Sequence, residues 1–257
     1  MLKPILSKLI IYLGNPIKMI IKEKIIYKDA KANPYEGVIV WDDSIKDPKP
    51  GILVSHMWSG QSDFEVDKAT ELAKLGYVGF AIDNYGKGRR ANGPEEAQIL
   101  MDALNNDRPL LLERILLAIE ALKNHRAVNA SLIGAIGFCF GGKCILDLAR
   151  SGVDICGVVS FHGLLDPPPA HPNKEIKSAI LVLHGWEDPM ALPDDMVNLS
   201  HELNKYNADW NLHVYGHTGH AFTNPKAKFP EKGLFFEPKS NKRSWNSMVY
   251  FFNEVFS

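Results

Sequence analysis

The chain has 257 residues, 46% apolar and 23% charged, ordinary values for a soluble globular protein and a length for one large α/β domain or two small ones. A formal net charge of −1 gives nothing to attract a nucleic acid, and no such partner is expected. Three cysteines, Cys139, Cys144 and Cys156, cannot make a disulfide framework, and their odd number fits a reducing compartment or a free reactive thiol.

Residues 1–22 read as a basic and apolar leader. Lys3 and Lys8 precede Leu9 to Leu13, and Ile17 to Ile21 is apolar again around Lys18. The run is too short and too interrupted to span a membrane. It resembles a weak signal segment, but no small-residue cleavage site follows. Lying on a membrane and packing on the domain are both open to it. The expectation is a soluble cytoplasmic protein with a single domain over 23–257.

Ile20 to Tyr27 and Tyr35 to Trp41 read as strands joined by a turn at Ala32-Asn33-Pro34, and 47–51 as a surface loop. Ile52 to Ser55 is an apolar strand running into His56-Met57-Trp58-Ser59-Gly60. Asp63 to Leu75 has helical spacing and closes at Gly76. Tyr77 to Ile82 is a buried strand ending at Asp83-Asn84-Tyr85-Gly86, and 94–124 is helical with a break near Asp107-Arg108-Pro109. Leu132 to Ile136 is a strand, Gly137-Phe138-Cys139-Phe140-Gly141 a turn, and Lys143 to Arg150 a helix. Further strands follow at 155–161, 179–184 and 210–215, with helices at 194–206 and 241–256. Strands apolar throughout that alternate with helices predict a mostly parallel central sheet with helices on both faces.

The turn at Cys139 carries the chemistry. A strand that becomes a helix through G-x-C-x-G has the form of a nucleophile elbow with Cys in the usual place of Ser. The nucleophile sits at the tip of a tight, strained turn, so its neighbours two away must lack side chains. The helix beginning there aims free N–H groups at the sulfur, which favours thiolate. A buried, inert Cys in a Gly-rich packing site would share the glycines but not the flanking elements.

Ligands of such sheets gather at the carboxyl ends of the strands: here His56 to Trp58, Asp83 to Tyr85, Cys139, Phe161-His162, Gly185 to Asp188, and His217 to His220. A Cys nucleophile needs a base, and the base an orienting acid, in the chain order nucleophile, acid, histidine. Asp188 and His220 each follow a strand in that order. Glu187 rivals Asp188, while His217, His184, His162 and His56 rival His220. No metal site is expected, since H-x-H, C-x-x-C and H-E-x-x-H spacings are absent.

Taken together, G-F-C-F-G-G, H-G-W-E-D-P, G-H-A-F and D-N-Y-G-K-G resemble the dienelactone hydrolase family of the α/β-hydrolase superfamily, from about Tyr35 to the C-terminus, including the late stretch Lys242-Arg243-Ser244-Trp245. The resemblance implies an α/β-hydrolase fold, no cofactor, and a triad of Cys139, Asp188 and His220. It also implies an oxyanion hole from the backbone N–H groups of Phe140 and Trp58. Family members carry a Glu before that second residue, where this chain has Met57. They hold a substrate carboxylate with two arginines, where this chain has Lys87, near Arg89 and Arg90, and Asn224. Glu36 reads as a solvated residue of an outer strand and no substitute for the missing Glu. Met57, Tyr85, Lys87, His162 and Asn224 are the expected substrate-contacting residues. The implied activity is hydrolysis of a small ester, lactone or thioester through an acyl-thiol intermediate. A non-catalytic binding protein on the same fold and a redox-sensing thiol at Cys139 are the alternatives.

Overall fold

The computed structural model describes residues 19–170, 172 and 174–257. The expected leader falls outside them as far as Lys18, and Ile20 to Lys22 open the first strand. Eight strands form one sheet: β1 (Ile20–Lys28), β2 (Pro34–Asp42), β3 (Lys49–Ser55), β4 (Val78–Ala81), β5 (Val128–Phe138), β6 (Gly157–Phe161), β7 (Ala179–Gly185) and β8 (Trp210–Tyr215), in the spatial order β1-β2-β4-β3-β5-β6-β7-β8. β1 pairs antiparallel with β2, and β2 with β4; from β4 to β8 every pairing is parallel.

The helices α1 (Asp63–Lys74), α2 (Pro94–Asn105), α3 (Arg108–Lys123), α4 (Phe140–Arg150), α5 (Pro193–Lys205) and α6 (Pro238–Val255) cover the sheet. Successive strand side chains face opposite ways, so one strand feeds two cores. Leu53 of β3 and Ala135 of β5 share a core with Leu111 and Ile115 of α3 and Leu146 of α4. Ile52, Val54 and Ile136 share the other with Leu72 of α1 and with Met248 and Phe252 of α6. Each such Leu, Ile, Val, Met or Phe side chain withdrawn from water contributes about 1.5–3 kcal/mol. Among the described residues no helix is long and apolar enough to cross a membrane.

Local signals account for the helix boundaries. Ser62 caps α1: its hydroxyl accepts from Phe64 N–H at 3.2 Å, while Glu65 Oε2 accepts from Ser62 N–H at 2.8 Å. The expected break at 107–109 separates α2 from α3, where Asp107 accepts from Leu110 N–H at 3.0 Å. Two expectations shift. The helix after Cys139 begins at Phe140, not Lys143, because Gly141 and Gly142 adopt helical geometry under β3 and beside Gly163. The strand β8 is only half apolar and partly exposed, because among the described residues it stands at the edge of the sheet. A small hairpin was not expected: β9 (Lys228–Phe229) pairs with β10 (Leu234–Phe235).

Every residue of α4 is buried, including Lys143, Asp147 and Arg150. The helix tolerates them because each charge is answered. Arg108 of α3 holds Asp147 through two guanidinium nitrogens, Arg150 Nε donates to Glu202 at 2.6 Å, and Lys143 Nζ lies 2.9 Å from Asp166. This network fastens the helix that carries Cys139.

Candidate active site

Cys139 has φ +56° and ψ −119°, a sparsely populated conformation for a residue with a side chain. Strain of this kind costs about 1–3 kcal/mol and persists where the surroundings over-determine it. Here β5 is held by β6 through Cys139 N–H donating to Phe161 O at 3.1 Å, and α4 is locked on the other side. The two glycines of G-x-C-x-G serve distinct contacts. A Cβ at Gly137 would overlap the Gly141 carbonyl, and one at Gly141 would overlap the carbonyl of Ser55 on β3. The turn can therefore be this tight, and sit this close to β3, only with glycine at both places.

The acid and the histidine stand on neighbouring loops after β7 and β8. These loops are stitched together: Trp186 N–H donates to Tyr215 O at 2.9 Å and Glu187 N–H to Thr218 O at 3.0 Å. Asp188 is buried; its Oδ1 accepts from Met190 N–H at 2.8 Å and its Oδ2 from His220 Nδ1 at 2.8 Å. The unexpected hairpin sets His220, whose N–H donates to Gly233 O at 2.7 Å and whose carbonyl accepts from Phe235 N–H at 3.2 Å. His220 Nε2 is buried without a hydrogen-bond partner, and the neighbouring group is the Cys139 sulfur. Burial pulls the imidazole pKa down. The charge of Cys139 and the bond to Asp188 outweigh it and raise His220 to about 10.

The rival histidines are placed elsewhere. His217 is fully exposed and pairs with Glu187 at 3.3 Å on the surface. His184 is buried on β7, donates from Nε2 to Ala191 O at 2.9 Å, and lies 3.8 Å from Asp188; burial lowers its pKa. His162 is buried behind His220 with ring centroids 5.0 Å apart and Nε2 2.7 Å from Thr223 Oγ1. Burial, and then the charges of His220 and His184, push its pKa well down. His56 is buried beneath the loop after β3 with both ring nitrogens bonded.

A cavity of about 320 Å³ opens over Cys139 and His220. Met57, Met101, Leu164, Met190, Phe229 and Leu234 make its wall largely apolar, with Trp58, Gln98, Asn224 and Lys226 adding polar groups. Met57 and Asn224, both expected to contact substrate, line this cavity. Tyr85, Lys87 and His162 do not line this cavity. Tyr85 is buried, with its hydroxyl donating to Trp58 O at 2.7 Å, and Lys87 points at Glu36, 3.7 Å away. Glu36 in turn bonds Lys24 at 2.8 Å. Lys226, Met190 and the β9–β10 residues were not anticipated; only the nearness of Met190 to Asp188 in the chain could have flagged one of them. Among the described residues, no N–H···O bond is made by Trp58, which lines the cavity, or by Phe140 at the start of α4. No group of three or more His, Cys, Asp or Glu among the described residues is placed to hold a metal.

Residues 36–256 match the dienelactone hydrolase family. A protein of Aquifex aeolicus named "putative carboxymethylenebutenolidase" is 30% identical over 209 residues, 79% of this chain and 87% of that one. The solved structure titled m3DLH is 34% identical with a TM-score of 0.88, over 93% of this chain and 99% of that chain. P91, a dienelactone hydrolase-like promiscuous phosphotriesterase from metagenomic libraries, is 32% identical with a TM-score of 0.88, over the same shares.

Proposed function

The chain belongs to the dienelactone hydrolase family and is a hydrolase of esters and lactones, and on that premise we propose that it cleaves small neutral substrates through Cys139, His220 and Asp188. The observation that carries the reading is the 2.8 Å contact from His220 Nδ1 to a buried Asp188, which leaves Nε2 free beside a sulfur at the start of a buried helix. The sulfur attacks the carbonyl carbon as thiolate. The carbonyl electron pair moves to oxygen, and the N–H groups of Phe140 and Trp58 donate hydrogen bonds to that oxyanion. The intermediate collapses, the bond to the leaving alkoxide breaks, and the His220 imidazolium gives that alkoxide a proton. Water then loses a proton to His220, attacks the thioester, and releases the acid and the thiolate. In a lactone the alcohol stays tethered to the acid.

The apolar wall supports a neutral substrate. Met57 offers no carboxylate to exchange a proton with the sulfur, and among the described lining residues only Lys226 carries a permanent charge. A lysine is a point charge rather than a bidentate clamp. The same largely apolar cavity, and the likeness to P91, support neutral phosphotriesters as a second substrate class. A reactive free thiol suits a reducing compartment, and we assign the enzyme to the cytoplasm.

The test is kcat/KM for matched neutral and carboxylated aryl esters and for a dialkyl aryl phosphotriester, with wild type, Cys139→Ala and Lys226→Ala. Cys139→Ala is expected to lose at least about 10³-fold on all of them. The neutral ester is expected to turn over at least as fast as the carboxylated one. A strong preference for the carboxylated ester, lost in Lys226→Ala, would overturn the neutral-substrate reading.

A further inference from the structure

We propose that His56 is a positioning residue of the oxyanion hole, holding the Met57 carbonyl so that the next peptide N–H, that of Trp58, faces the reacting carbonyl. The inference rests on the reading that Cys139 is the nucleophile and that Trp58 N–H is one of the two oxyanion donors.

His56 follows the last residue of β3 and is fully buried. Its Nδ1 lies 2.6 Å from Met57 O, and its Nε2 lies 3.1 Å from the backbone nitrogen of Asn84. A carbonyl can only accept and an amide N–H can only donate. Nδ1 therefore carries the proton and Nε2 accepts, which fixes the tautomer without further assumption. Burial lowers the pKa of the ring to about 4, against the opposing charge of Asp83, so this division of roles holds at neutral pH. With both nitrogens engaged and the ring outside the cavity lining, His56 has no free atom with which to act as a base.

The consequence for catalysis comes from peptide planarity. The carbonyl of residue i and the N–H of residue i+1 belong to one rigid trans unit and point in opposite directions. No cis peptide occurs among the described residues, so the direction imposed on Met57 O is the reverse of the direction given to Trp58 N–H. His56 lies on the buried side of this loop, whereas Trp58 lines the cavity that contains Cys139. Other contacts complete the clamp. Gly60 N–H also donates to Met57 O at 3.2 Å, and Met57 N–H donates to Glu65 Oε1 at 3.3 Å. On the far side of Trp58, its own carbonyl accepts from the Tyr85 hydroxyl at 2.7 Å. The two peptides flanking Trp58 are thus tied to buried groups at the end of β3 and in the turn after β4, and the peptide before them, through Met57 N–H, to the first turn of α1. Asn84 N–H joins the end of β3 to the turn after β4.

Loss of one oxyanion donor typically costs 10²–10³ in kcat, and a misdirected donor loses part of that. Two amides separate the two bonds of His56. In His56→Asn the amide stands near the place of Nδ1 and can still donate to Met57 O. In His56→Gln it stands near Nε2 and can answer only Asn84. Three readouts are taken: ester hydrolysis, inhibition by an aryl trifluoromethyl ketone, and alkylation of Cys139 by iodoacetamide. The ketone forms an S–C bond to Cys139 and turns its carbonyl into a tetrahedral oxyanion, whereas alkylation displaces iodide and creates no oxyanion at the site. The expectation for Gln is a kcat lower by about 10–100-fold, a Ki raised in parallel, and KM and alkylation rate within about threefold of wild type. Asn is expected to recover kcat to within about fivefold of wild type.

Equal losses in Asn and Gln that track the fall in melting temperature would overturn the inference, because a merely structural His56 moves activity only through stability. An active Cys139→Ala enzyme would instead overturn the reading beneath it. If neither His56 variant folds, Tyr85→Phe decides: it removes only the hydroxyl on Trp58 O and is expected to lower kcat by about 3–10-fold with a matching rise in Ki. An unchanged kcat and Ki in that variant would overturn the clamp.

Discussion

Two of the acid–histidine contacts, made by adjacent acids, differ in one respect: one is exposed on the surface and the other is buried beside Cys139. Glu187 and His217 meet at 3.3 Å with the histidine fully exposed. Asp188 and His220 meet at 2.8 Å with both groups buried. The acids are adjacent in the chain, and the histidines are separated by Thr218 and Gly219. The surface pair is screened by water, which competes for both side chains and leaves neither held in one geometry. For the buried pair, Met190 N–H fixes the carboxylate, the β9–β10 hairpin fixes the imidazole, and the free Nε2 lies at the sulfur. The difference lies in what the surroundings do to groups of the same chemical type.

Exchanging the roles of the two histidines tests this contrast most severely. His220→Ala is expected to reduce kcat by about 10³–10⁴-fold, while His217→Ala stays within about twofold of wild type. The steady-state rate on an activated aryl ester reads both, and a dead His217→Ala beside an active His220→Ala would reverse the assignment.

The acids give a somewhat smaller effect, since an enzyme without its orienting carboxylate still has its base. Asp188→Asn is expected to cost about 10²–10³-fold in kcat, against no more than about twofold for Glu187→Gln. The double variant Asp188→Asn/His220→Ala should be no slower than His220→Ala alone, because the two residues act as one unit. Additive losses in that cycle would show that they work independently.

A milder consequence concerns the thiol that the buried pair serves. Burial pushes the Cys144 thiol well up and, with less force, that of Cys156, while Cys139 is half-exposed beside the His220 imidazole. At neutral pH iodoacetamide should label Cys139 at least about tenfold faster than either of the others. His220→Ala should erase most of that advantage and His217→Ala none of it. Peptide mapping by mass spectrometry would expose the error if Cys156, which is also partly exposed, reacted first.

What the sequence determined by itself is the elbow and the order of the parts. The glycines at 137 and 141, the apolar strand before Cys139 and the helix after it are constraints acting within a few residues, and such constraints are written locally. The same holds for the caps at Ser62 and Asp107 and for the alternation of strand and helix that yields a mostly parallel sheet. The order of Cys139, Asp188 and His220, each after its strand, was equally legible because parallel strands deliver their carboxyl ends to one edge. Tertiary structure alone decided which neighbouring acid and which of several histidines are withdrawn from water, since burial depends on chain brought in from far away: the β9–β10 hairpin over His220, α4 under Cys139. It also decided that Tyr85 and His56 stand behind the loop after β3 and that Lys87 turns away to Glu36. Those places follow from hydrogen bonds and an ion pair between residues about 27 to 51 apart in the chain, and no local pattern encodes contacts over that separation.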